Sequence, residues 1–148
     1  MIDDAIAHLS LLTSETKATF GRMTPQHMVE HLIWTLKISN GEQESEQHFR
    51  SEKAEKMKNI LIYTDAEIPV GFKSPVLPED DVLPLEYSNL HEAKSIFAEE
   101  LNRLHNYFDK NPEATPINPS LGALSHKEWL VFHTKHFRHH FKQFNLIQ

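Results

Sequence analysis

The chain contains no cysteine, which rules out disulfides and a thiolate nucleophile and confines any metal site to nitrogen and oxygen donors. It has no apolar run near the ~18 residues that a membrane-crossing helix requires. Its first residues, MIDDAIAHLSLL, carry acids where a secretory signal carries bases. Basic residues are outnumbered, 15 Lys plus Arg against 21 Asp plus Glu, and a formal charge of −6 weighs against nucleic acid or an anionic membrane as partner. Also missing are a G-x-S-x-G elbow, a glycine-rich phosphate loop and a basic aromatic platform, so covalent serine chemistry, nucleotide binding and RNA binding find no support. Glycine is scarce, 4 against 8 prolines, and there is no repeat or low-complexity tract. These absences predict a cytoplasmic protein of helices joined by proline-marked loops. At 148 residues, the length suits a single domain spanning 1–148 around one core.

What the chain does have is histidine, 11 in all, and the densest run lies in Ser125–Phe144, SHKEWLVFHTKHFRHHFKQF. Ser125 and Glu128 form an S-x-x-E capping box that starts a helix there. At about 100° per residue, His133, His136 and His140 share a sector about 60° wide, with Trp129 and Gln143 on the same stripe. Leu130, Phe137, Phe141 and Phe144 make a neighbouring apolar stripe. Lys127, Thr134, Lys135, Arg138 and Lys142 are expected on the wet face. Histidines at the edge of a buried face are either packing residues with hydrogen-bond partners or ligands. The i, i+4 spacing of His136 and His140 is the one that brings two imidazoles onto one cation from a single helix.

Upstream, Ile2, Ile6, Leu9 and Leu12 predict a short amphipathic helix. Thr24-Pro25 opens a second helix and Asn40-Gly41 stops it. There His27, His31, Trp34 and Ile38 share a face, while Met28, Val29, Leu32, Ile33 and Leu36 make the rest apolar, as in a central helix. His31, in the middle, must be buried and satisfied, which a metal or a hydrogen bond to the last helix would each achieve. His27 sits where it can reach solvent or cap its own helix. A third helix is expected from about Glu46, with Phe49, Met57, Ile60 and Leu61 on one face, followed by a proline-rich crossing over Thr64–Glu86. Ile96, Phe97, Leu101, Leu104 and Phe108 define a helix from Ser88 or Asn89 to Asn111-Pro112, with His105 read as packing. The loop Asn111–Leu124 leads back to Ser125.

Two stretches, MTPQHMVEHL (Met23–Leu32) and LGALSHKEWLVFHTKHFRHHFKQF (Leu121–Phe144), resemble the DinB-like superfamily of four-helix metal proteins. That superfamily includes YfiT-type hydrolases and the bacillithiol and mycothiol transferases. The likeness is closest to a small branch ending in H..HH..QF and covers about 35 residues. It implies an all-α four-helix bundle with a long crossover and an extra short helical segment, with a homodimer as a further expectation. It also implies a divalent cation held by one early histidine and a late pair, which fall on His31, His136 and His140. His139 then stands beside the ligands or at the surface. Gln143 either orients a ligand or a water or bonds plainly between helices. His133 is expected as pocket lining or as a fourth ligand, and His27 and Trp34 line the pocket or stand behind the ligands. Relatives often have His-Pro where this chain has Asn118-Pro119, which removes that histidine from any substrate contact here.

Three imidazoles with an open position suit zinc or nickel in a catalytic rather than a closed structural site. The resemblance implies hydrolysis or transfer of a low-molecular-weight thiol to a small-molecule substrate. Glu30 points away from His31 and reads as a rim carboxylate rather than a base. The alternative is a non-catalytic metal-binding or dimerising helical bundle.

Overall fold

A computed structural model describes residues 1–78 and 82–148, so that positions 79–81 of the expected crossing lie outside the described residues. Five helices account for most of the regular structure: α1 (Ala5–Ser10), α2 (Pro25–Ser39), α3 (Ser51–Tyr63), α4 (Leu90–Lys110) and α5 (His126–Gln143). Two-residue strands β1 (Ile117–Asn118) and β2 (Gly122–Ala123) pair antiparallel. The fold is therefore mostly α, and none of the described helices is long and apolar enough to cross a membrane.

Helix α2 forms where its sequence stops competing with it. The Thr24 hydroxyl accepts from the His27 amide at 3.2 Å and His27 Nδ1 accepts from the Thr24 amide at 3.2 Å, closing a capping box with an imidazole in the usual place of a carboxylate. Pro25 occupies the first turn, where its missing N–H costs nothing. Past the other end, Gly41 takes φ +81° and a Cβ there would lie 2.6 Å from the Tyr107 ring, so glycine is required twice over. Met28, Val29, Leu32, Ile33, Leu36 and Ile38 are all buried, which makes α2 central as its pattern predicts. Its main neighbour is α4, whose Ala93, Phe97, Leu101, Leu104 and Phe108 supply the complementary stripe. The expected Ser125–Glu128 box starts α5, with bonds of 3.3 and 2.9 Å, and Phe137 and Phe141 carry its apolar side into the core. Each such cap is worth about 1 kcal/mol.

Several elements depart from the pattern. Helix α1 is shorter than its pattern suggests: Ile2 and Leu12 are buried on either side of it and Leu9 within it, but Ile6 is 49% exposed because Ala5 takes the inward position. Helix α3 begins at Ser51 rather than near Glu46. The preceding segment instead crosses to the hairpin region, where the His48 amide donates to the Pro119 carbonyl at 2.9 Å. His105, expected as a packing residue, is exposed. Lys135, expected on the wet face, is buried and donates to the carbonyls of Leu61, Thr64 and Ala66, the last two at 2.7 Å. The end of a helix leaves carbonyls without amide partners and with a negative dipole end, and an ammonium answers both.

Candidate metal centre

Helices α2 and α5 bring three imidazoles edge to edge. One ligand nitrogen from each of His31, His136 and His140 lies within 4.8 Å of the other two. His31 Nε2 and His136 Nε2 are 3.0 Å apart. The ring planes are steeply inclined to one another, at 82°, 69° and 74°, so that edges rather than faces converge.

The neighbourhood fixes one tautomer. Gln143 donates from Nε2 to the Phe20 carbonyl at 2.9 Å, which turns its Oε1 toward His140 Nδ1 at 2.7 Å. His140 therefore carries its proton on Nδ1 and presents a bare Nε2 to the cluster. Gly21, at φ +77°, lets this happen, since a Cβ there would stand 2.9 Å from Gln143 Nε2. His31 Nδ1 and His136 Nδ1 are buried without a hydrogen-bond partner, so no comparable device orients those two rings.

His136 and His140 are buried, whereas His31, expected to be buried, is half-buried, and desolvation favours the neutral form of all three. His31 is lowered to about 4 by desolvation, with a smaller contribution from His139. His136 and His140 lie well below the ordinary histidine range, again chiefly through burial and then through repulsion from the other imidazoles. Neutral imidazole is the form that ligates. Two nitrogens on one tetrahedral zinc sit about 3.3 Å apart, close to the 3.0 Å between His31 Nε2 and His136 Nε2, while the three ligand atoms together span up to 4.8 Å. The three imidazoles form a group able to hold a metal ion.

The cluster forms part of the wall of a cavity of about 400 Å³. Phe132, one turn before His136, stacks on its ring at 5.1 Å and 30°. Much of the opposite wall comes from the crossing after α3, including Ile68, Val70 and Phe72. That segment is tied to α5 by Arg138 to Glu67 at 2.6 Å and by His139 Nδ1 to the Ile68 carbonyl at 3.2 Å, besides Lys135. His139 is half-buried, lines the cavity and packs on Phe20 with centroids 5.3 Å apart. Gln143 lines the cavity as well.

The other expected pocket residues lie elsewhere. His133 lines neither described cavity. Its Nε2 meets the Ser39 hydroxyl at 2.8 Å, its ring stacks on Trp129, and burial depresses it to about 3. It is too far along α5 to join the cluster, because α2 offers it a serine two turns beyond His31. Trp34 and His27 border a separate cavity of about 80 Å³ on the other side of His31, with His27 spent on its cap. Glu30 accepts from the amides of Glu86 and Tyr87 at 2.7 and 3.3 Å, so it clamps the far end of the crossing rather than facing the cluster.

Phe20 and Phe132 carry no expectation from the sequence, and Lys135 carries the opposite one. Phe132 carried a usable signal, standing four residues before His136 on the same helical side. Phe20 and the crossing reach the cavity through tertiary contacts that helical periodicity does not encode. Comparison with protein-family models, curated proteins and solved structures finds no match to this chain.

Proposed function

We propose that this protein is a metal-dependent enzyme of the DinB-like kind, a four-helix bundle whose His31, His136 and His140 hold zinc or nickel and which acts on a small molecule by thiol transfer or hydrolysis. The observation that carries this reading is the convergence of three neutral imidazoles, within 4.8 Å of one another, on a cavity large enough for a substrate. A divalent cation so held lowers the pKa of a water or a thiol, the chemistry that both reactions need. The chain's own residues do the rest. Gln143 holds the proton of His140 on Nδ1, Phe132 backs His136, and the apolar walls exclude bulk water from the cluster.

The 3.0 Å approach of His31 Nε2 to His136 Nε2 supports a second reading, in which one imidazole donates to the other and the cluster is a non-catalytic element of a helical scaffold. Metal content after purification without chelator or affinity tag separates the two. The enzymatic reading expects about one equivalent of zinc or nickel, lost in His31→Ala and His140→Ala and kept in His105→Ala. Given bound metal, conjugation of monobromobimane with a set of small thiols, run beside an esterase and amidase panel, distinguishes transfer from hydrolysis. Protein without metal and inactive in both assays leaves the scaffold.

A further inference from the structure

The cavity beside the imidazoles has walls of a definite chemistry. Met57, Leu61, Ile68, Phe132 and Leu121 present hydrocarbon and ring surface to it. Its edge is apolar too, since Ile60, Val70 and Phe72 line it while remaining 47%, 67% and 41% exposed. Large apolar side chains left in water around an opening are unfavourable unless something apolar covers them.

Its charges are few and unequal. Glu67 and Arg22 are the carboxylate and the guanidinium among the lining residues. Glu67 is already neutralised by Arg138 at 2.6 Å. Arg22 is exposed and has no hydrogen-bond or ion-pair partner among the described residues. A guanidinium beside an apolar cavity, with no carboxylate partner among the described residues, is complementary to an acid with a hydrocarbon body.

We infer that the ligand of this cavity is an amphiphilic acid, an alkyl or aryl-alkyl carboxylate whose apolar body fills the space beside the imidazoles and whose anionic group pairs with Arg22. This rests on the reading of the cavity as a substrate site, and it names the substrate class. The walls discriminate by hydrocarbon length, Arg22 by charge. A short polar acid gains nothing from the walls, and an alkylammonium meets the wrong sign at the edge.

The test is calorimetric titration of the full chain, zinc-loaded and metal-stripped, with the saturated carboxylates from butanoate to decanoate, the matching alcohols and the matching alkyltrimethylammonium ions. Affinity is expected to rise about fourfold per methylene until the cavity is full. Carboxylates should exceed alcohols of equal length by up to about fivefold, as a largely exposed ion pair allows. Arg22→Ala should remove that preference without changing alcohol binding, and Arg22→Lys should keep it. No dependence on chain length, or a preference for the ammonium series, overturns the proposal. So does a carboxylate preference that survives Arg22→Ala and disappears when metal is stripped, because the acid would then sit on the imidazoles. The length dependence is expected with and without metal, so a protein that holds no zinc yet shows it loses the metal reading and keeps this one.

Discussion

His133 and His136 stand one turn apart on the same face of α5, both buried and both held neutral by desolvation, yet they do opposite things. His133 faces a serine hydroxyl from α2 and a tryptophan ring, and its surroundings are closed. His136 faces two more imidazoles and borders open volume. Burial and a depressed basicity are therefore shared by a packing residue and a candidate ligand. What separates them is whether the facing nitrogen is already satisfied by a neighbour of the opposite hydrogen-bonding kind, and whether there is room beyond it.

That contrast can be broken at its strongest point by removing a ligand. His136→Ala should weaken zinc or nickel binding by more than about a hundredfold, read by competition with a chromogenic chelator. Gln143→Leu comes next. It frees the His140 tautomer without touching an imidazole and should weaken the metal by about tenfold to a hundredfold, with no change in stoichiometry at saturation.

On the closed side, His133→Leu should leave metal affinity within about a factor of two while lowering stability to urea by about 1–3 kcal/mol. The Ser39 hydroxyl keeps its bond to the Leu36 carbonyl at 2.9 Å in that variant, so no new buried donor is stranded. The same substitution alters the response to acid. In the unfolded chain this imidazole titrates near 6.5, and in the folded one at about 3. Between those values only the unfolded state takes up the proton, so stability is complete above about pH 6.5 and falls as pH drops toward 3. His133→Leu should flatten that decline in urea midpoints measured from pH 7 to pH 4. The smallest effect belongs to His105→Ala, an exposed position on α4, which should change neither metal content nor urea midpoint measurably.

Much of this was legible in the residues themselves. Helical periodicity put His31, His136 and His140 on inward faces, and Thr24-Pro25 and Ser125–Glu128 marked the two helix starts that set their register. Those signals are local, acting within one or two turns. The same wheel could not separate His133 from His136, because what faces each is chosen by α2, about a hundred residues earlier in the chain. Lys135 was misplaced for a related reason. A lysine reads as solvated unless one knows that orphan carbonyls at the end of α3 arrive beside it. The late start of α3 reflects a segment held by a tertiary bond from His48 rather than by its own propensity.

Residues 135, 138 and 139 of α5 grip the segment that follows α3, while residues 136 and 140 of the same two turns present the imidazoles. One wall of the cavity and two of its three imidazoles are thus carried by one helix. A tilt or slide of α5 therefore shifts that segment together with His136 and His140, while His31 stays with α2. Val70 and Phe72, which line the cavity at 67% and 41% exposure, belong to the stretch of that segment beyond the three residues that α5 holds.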